Sequence, residues 1–163
     1  MIVLGVDPGT RCTGYGIVEK RGNTFLPIAY GAITTGKEEE IAGRLKAIYD
    51  GLTQVIAARK PQAMALEKAF YSKSIASAFR IGEARAIAML CAAQANLALA
   101  EYEPRLVKLS VVGSGAAHKE QVQRMVKMLL GLREDPKPVD ASDALAIAIC
   151  HCQRAEAAKR LGL

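Results

Sequence analysis

The sequence predicts an α/β domain built on a mixed sheet of five strands with helices packed against it. Three observations lead there. Three strand-like runs follow one another within the first 34 residues with only turns between them, the pattern of an antiparallel meander. Two later apolar runs, 62–67 and 97–102, each follow a long helical pattern, and such crossovers add parallel strands with right-handed connections. The chain has 163 residues, the length of one domain, and no repeat or linker divides it, so residues 1–163 are read as one unit.

The elements follow in order. Residues 2–7 are almost wholly apolar and read as a buried strand, which Pro8-Gly9 then turns. Residues 14–19 and 25–34 are two more strands, with Arg21-Gly22-Asn23 as their hairpin turn. Ile41, Leu45, Ile48, Leu52 and Val55 recur at helical spacing, and Lys60-Pro61 ends that helix. A short strand at 62–67 follows. Ser72 to about Asn96 is helical, with Ile75, Phe79, Gly82, Ala86 and Met89 along one side. Leu97 to Tyr102 is the last strand. Val107 to Val112 is short enough to be helix or strand. Gly113-Ser-Gly115 is a loop, a helix runs from about Ala117 to Leu130, and Asp135-Pro-Lys-Pro138 is a stiff link to a final helix near Asp140.

Half the residues are apolar and charges are interspersed, which excludes a disordered chain. The longest apolar stretches, such as Ala86 to Ala93, are too short to span a bilayer, so no membrane association is expected. The first strand begins at residue 2, leaving no room for a leader. Cys12, Cys91, Cys150 and Cys152 match neither a zinc ribbon nor a disulfide framework. Cys150-His151-Cys152 reads as part of a helix packing small residues, because neighbours about 100° apart cannot close on one ion. Free thiols and no leader point to the reducing cytoplasm.

Four carboxylates stand at the ends of apolar runs. Asp7 and Glu67 close two strands, and Asp140 and Asp143 open the last helix one turn apart, hence on one face. Asp before Pro-Gly is also a common turn former, and an Asp before a helix is a common N-cap. Yet carboxylates gathered at the edge of a core repel one another unless cations neutralise them. Hard divalent ions such as Mg²⁺ or Mn²⁺ take such oxygen ligands, and a pair of them is a recurrent phosphodiester-cleaving site.

The chain around these acids is basic, with 22 Lys+Arg against 16 Asp+Glu. Residues 105–137 hold seven basic against three acidic residues, Lys108 and Lys119 among them, and 59–85 hold six against two, Lys73 and Arg80 among them. An acidic point in a basic surface suits an enzyme that holds nucleic acid and cuts it. Gly113-Ser-Gly-Ala-Ala-His-Lys119 lacks Walker A spacing, but it could present backbone N–H groups and Lys119 to a phosphate, with His118 as a weaker candidate for proton transfer. Phe70 and Tyr71 follow Glu67 closely, and aromatics in a loop can stack on unpaired bases. Phe70 is the stronger candidate of the two.

From end to end the chain resembles the RuvC family of bacterial Holliday-junction resolvases. The resemblance lies in Leu4-Gly-Val-Asp-Pro-Gly-Thr-Arg-Cys-Thr-Gly-Tyr-Gly16, Glu67-Lys-Ala-Phe70, Gly82-Glu-Ala-Arg85 and Val107-Lys-Leu-Ser-Val-Val-Gly113. It continues through Lys119-Glu-Gln-Val122 and Asp140-Ala-Ser-Asp-Ala-Leu-Ala-Ile147. Each motif is weak alone, whereas their order and spacing are specific. The resemblance implies an RNase H-like fold of the retroviral-integrase superfamily and a homodimer. It implies two Mg²⁺ ions per active site, with Mn²⁺ able to substitute, and paired, symmetric incisions in a four-way DNA junction during recombination and repair. It implies that Asp7, Glu67, Asp140 and Asp143 hold the metals, that Lys108 and Lys119 lie near the cleaved phosphate or the DNA, and that Phe70 contacts bases at the crossover. A RuvAB branch-migration complex is the partner it implies, and association with the nucleoid during recombination the place.

Three positions depart from the family pattern: Lys68 stands where Gln is usual, Ser74 where Asn is usual, and Ala86 where Gly is usual. The first two bear on sequence preference, and Ala86 on close helix packing. Other readings are a YqgF-type RNA-processing nuclease of the same fold, an actin-like phosphate-binding domain suggested by Asp7-Pro-Gly-Thr10, and a non-catalytic junction binder. The chain is short for the second, and four acids near phosphates argue against the third.

Overall fold

A computed structural model describes residues 1–37, 39–68 and 74–162. The strands are β1 (Ile2–Asp7), β2 (Cys12–Arg21), β3 (Thr24–Thr34), β4 (Ala63–Glu67) and β5 (Ala98–Tyr102). The helices are α1 (Ile41–Arg59), α2 (Ile75–Gln94), α3 (Pro104–Val112), α4 (Lys119–Leu129) and α5 (Val139–Arg160). The sheet order is β3-β2-β1-β4-β5. β1, β2 and β3 pair antiparallel, and β4 and β5 extend the sheet in parallel. The expected meander with two crossovers is therefore the observed topology.

β1 is apolar because both its faces are covered. Val3 packs with α3, α4 and α5, while Leu4 and Val6 pack with α1 and α2 on the other face. Successive strand residues point to opposite faces, so a central strand covered on both sides needs an unbroken apolar run. β3 is an edge strand, which accommodates Pro27 opposite Val18 next to a bulge. The β2–β3 hairpin turns on Gly22, whose φ of 55° favours glycine. No helix among the described residues is long and apolar enough to cross a membrane.

Several boundaries differ from expectation. Residues 107–112 are helical, within an α3 that starts with Pro104 in its first turn, where a missing N–H costs nothing. α2 starts at Ile75, capped by the Ser74 hydroxyl, which accepts from Ser77 N at 3.2 Å. α4 starts at Lys119 rather than Ala117. Asp140 is not an N-cap: Pro138 holds that place, and Asp140 lies inside the first turn of α5. Its carboxylate is therefore not committed to capping. The side of α2 marked by Ile75, Phe79, Gly82 and Ala86 faces outward, and Ala84, Ala88, Cys91 and Ala92 are the buried side.

Candidate active site

Asp7 ends β1, and Glu67 ends β4 one step beyond the Val6–Leu66 pair of the parallel ladder. Two carboxylates thus leave the sheet side by side. The turn after Asp7 is held by Thr13, a fully buried residue whose Oγ1 donates to Gly9 O at 2.7 Å and accepts from Gly9 N at 3.3 Å. A side chain on Gly9 would stand 2.5 Å from the Cys12 carbonyl oxygen, so the turn closes only on glycine.

The other two acids arrive on α5, which lies directly on the sheet. Gly5 and Gly16 are cross-strand partners, as are Asp7 and Gly14. A Cβ on Gly5 would sit 2.0 Å from Ala144 O, and one on Gly14 would sit 2.1 Å from Asp140 O. These glycines, met by the small Ala141, Ala144 and Ala148 of α5, let helix and sheet backbones touch. That contact sets the backbone of Asp140 over the register partner of Asp7. Asp143 is one turn further along the same helix face.

The four charges feel one another. The Asp7 carboxyl is pushed up from 3.8 to about 7, chiefly by burial and then by the charges of Asp143, Glu67 and Asp140, with Lys119 opposing. Burial followed by the charge of Asp143 also raises Glu67, while Lys108 and Lys119 lower it. Burial alone would lower the Lys119 ammonium, but its hydrogen bond to Asp143 and the negative charges around it hold its pKa above the ordinary value. Lys119 Nζ donates to Asp143 Oδ2 at 2.6 Å. Glu67, Lys108, Lys119 and Asp143 line one pocket of about 230 Å³.

A larger open groove of about 930 Å³ runs up to Asp140 between the β1–β2 turn, the start of α1 and the start of α2. Arg11, Arg44 and Arg80 line it, with Glu39 and Glu40 beside them. Arg44 is fixed there by bonds to the carbonyl oxygens of Glu39 (2.8 Å) and Lys37 (2.7 Å). The Cys12 thiol is pushed up to about 11 by burial, by its hydrogen bond to Asp140 and by the nearby charges of Asp140 and Asp7.

Of the residues singled out from sequence, the structure brings together Asp7, Glu67, Asp140, Asp143, Lys108 and Lys119, and sets Arg80 in the adjoining groove. Phe70, Tyr71 and Lys73 lie outside the described residues. His118 is the exposed N-cap of α4, and its backbone N–H donates to Gln121 Oε1 at 2.7 Å. Cys150 and Cys152 are buried free thiols in α5. Sequence reasoning missed Arg11 and Arg44. Arg11 sits two residues after the Asp-Pro-Gly turn and could have been found from that proximity. Arg44 reaches the groove only through the fold.

The donor set fits a hard divalent cation. It consists of oxygen ligands alone, and their mutual repulsion is what a cation would relieve. Among the described residues no three acidic, imidazole or thiol side chains enclose a single point as they stand, so the fit lies in charge and donor chemistry rather than in preformed coordination.

The comparisons with known proteins agree. A family model described as crossover junction endodeoxyribonuclease RuvC matches residues 3–151. A protein of that name from Pseudothermotoga lettingae is 50% identical over 152 residues, covering 93% of this chain and 94% of that protein. One from Caldanaerobacter subterraneus subsp. tengcongensis is 49% identical, covering 99% of this chain and 98% of that protein. A solved structure of T. thermophilus RuvC in complex with Holliday junction substrate superposes with a TM-score of 0.90 at 33% identity, covering 95% of this chain and 94% of that one.

Proposed function

The chain belongs to the RuvC family of crossover junction endodeoxyribonucleases, and from that premise we propose that Asp7, Glu67, Asp140 and Asp143 form the cutting centre with which it resolves Holliday junctions. The enzyme is a divalent-metal-dependent hydrolase of phosphodiester bonds, acting in recombination and repair. The single observation that supports the site is electrostatic. Burial, and then the charges of Asp143, Glu67 and Asp140, push the Asp7 carboxyl up to about 7, in a chain whose net charge is +6.

In this reading the four acids hold two Mg²⁺ ions, for which Mn²⁺ can substitute. When bound, such cations neutralise the acids and supply Lewis-acid stabilisation of charge on the scissile phosphate. Asp7 and Glu67 fix one side of the site from the sheet, and Asp140 and Asp143 fix the other from α5. Lys119 is held beside the phosphate position by Asp143. Its ammonium, hydrogen-bonded to Asp143, would stabilise negative charge that develops on the phosphate. Lys108 positions the backbone from the same pocket. Arg11, Arg44 and Arg80 offer the continuing strand phosphate contacts along the groove to Asp140. Phe70, Tyr71 and Lys73 are assigned to the bases and backbone at the crossover by family resemblance alone.

Paired, symmetric cuts need two such centres, and the outward side of α2 supports a homodimer. Ile75 is 79% exposed and Phe79 68%, while Gly82 and Ala86 beside them leave room for close approach. A RuvAB branch-migration complex as partner, and action in the cytoplasm at the nucleoid, follow from the family. The proposal that 1–163 folds as one nuclease domain rests on the single sheet and the two cores that cover its faces.

The test is to incubate the protein with a four-way DNA junction, a matching duplex and an RNA hairpin, in Mg²⁺ and in EDTA. Symmetric nicks in the junction alone, and only in Mg²⁺, are expected. Cleavage of the hairpin with an untouched junction would move the assignment to an RNA-processing nuclease.

A further inference from the structure

Arg85 is a cation in a small-residue stretch of α2, between Ala84 and Ala86. Its Nη1 donates to the backbone oxygen of Glu67 at 2.6 Å. Its Nη2 forms an ion pair with Oε1 of Glu101 on β5. That oxygen is buried and otherwise has no hydrogen-bond partner among the described residues. Glu101 is the register partner of Leu66, the residue before Glu67. One half-buried guanidinium therefore ties together the ends of β4 and β5 and the body of α2.

The place it ties is where the chain leaves the sheet. Lys68 N still bonds Tyr102 O at 2.8 Å. Ser74 caps α2. The peptide unit after Glu67 is held on both sides, its N–H by the Tyr102 carbonyl and its carbonyl oxygen by Arg85, and this anchoring fixes the strand end from which the Glu67 carboxylate projects. Glu101 in turn holds Arg85. A guanidinium can serve a carbonyl and a carboxylate at once through its planar fork, whereas an ammonium acts as a single point.

We propose that Arg85, braced by Glu101, is the positioning residue that sets the Glu67 carboxylate toward Asp7 and Asp143. Arg85 acts through Glu67 and contacts neither cation nor DNA. This rests on the reading of the four acids as a cation site. Outer residues that orient metal ligands typically change metal affinity or activity by about 10–100-fold when altered, and small misplacements of a reacting centre can cost about 10²-fold in rate.

The test compares the wild-type protein with Arg85→Lys, Glu101→Gln and Asp7→Asn. Free Mn²⁺ is read by electron paramagnetic resonance, junction affinity is measured in EDTA, and single-turnover cleavage at saturating Mn²⁺ is timed. Arg85→Lys is expected to keep its circular dichroism and metal-free junction affinity, to bind Mn²⁺ about tenfold more weakly, and to cut about 10²-fold more slowly. Glu101→Gln should move both readouts in the same direction by less. A folded Arg85→Lys with wild-type Mn²⁺ affinity and rate overturns the proposal. If Arg85→Lys does not fold, Glu101→Gln decides, and unchanged Mn²⁺ affinity there overturns it equally. Asp7→Asn separates the two levels. Wild-type Mn²⁺ binding by that variant means the cation site itself is misassigned, while its loss alongside an unaffected Arg85→Lys removes only the role of Arg85.

Discussion

The Lys119 ammonium donates a 2.6 Å hydrogen bond to Oδ2 of Asp143, joining the first residue of α4 to α5 across 24 residues of sequence. Among the described residues this is the only cation bonded to the carboxylate of one of the four acids, and it stands where charge would develop. If Lys119 stabilises the transition state, Lys119→Ala should slow single-turnover cleavage about 10²–10³-fold, equivalent to about 2–4 kcal/mol, with little change in junction affinity. Lys119→Arg should rescue poorly if a compact charge is needed. An unchanged rate at saturating enzyme, with weaker and less salt-dependent binding, would reassign Lys119 to backbone contact.

The raised Asp7 carboxyl gives a pH signature in the absence of metal. Its folded value of about 7 lies above the ordinary 3.8, so the folded state holds the proton more tightly than the unfolded chain. Stability from this group is complete below about pH 4 and is lost as pH rises through 7. The step corresponds to up to about 4 kcal/mol. Asp7→Asn, which cannot ionise, should therefore unfold at higher denaturant than wild type at pH 8, with the gap closing at pH 4. An equal gap at both values would show that the repulsion is not there. In metal, affinity for the cation should fall as pH drops through 7, because the proton competes for Asp7.

Gly14 sets the height of α5 over the sheet at the site itself. A methyl group there would stand 2.1 Å from Asp140 O and 2.8 Å from Asp140 Cβ. Gly14→Ala should cost about 1–3 kcal/mol of stability as an overpacked contact. It should also slow cleavage about 10²-fold in the protein that remains folded, because Asp140 is lifted away from Asp7. Melting temperature and single-turnover rate together check this, and a wild-type rate in a destabilised protein would mean that α5 does not set the geometry.

Binding and cutting should separate by DNA sequence. In the proposed function, Arg11, Arg44 and Arg80 in the groove would meet DNA backbone and shape, not bases. Affinity should vary little over a panel of junctions with different crossover sequences, whereas the cleavage rate should vary strongly. Rates that simply track affinity across the panel would contradict this division.

Much of this was legible in the sequence where the cause is local or periodic. The run from Ile2 to Val6 is apolar because both faces of β1 are covered, and the Asp at its end stands out for that reason. Asp140 and Asp143 share a face by helical spacing alone. Other features depend on contacts that no local pattern encodes. Asp140 resembles an N-cap until Pro138 takes that place. Residues 107–112 are too short for periodicity to decide, although Pro104 three residues earlier is a helix-start signal. The exposed Ile75 and Phe79 look like core residues, because apolar spacing does not say which side a helix turns inward. Arg85 is the furthest from view. Its partners are a backbone oxygen 18 residues away and a carboxylate on the neighbouring strand, and only the completed sheet sets them side by side.

The most direct test of the carboxylate centre is Asp7→Asn assayed on one four-way junction in two ways, by affinity in EDTA and by single-turnover cleavage in Mg²⁺. Removing one negative charge beside the phosphates should leave binding equal or tighter. Removing a metal-holding acid should lower cleavage by several orders of magnitude. Near wild-type cleavage by Asp7→Asn would contradict the account, because the four acids could not then be the cutting centre.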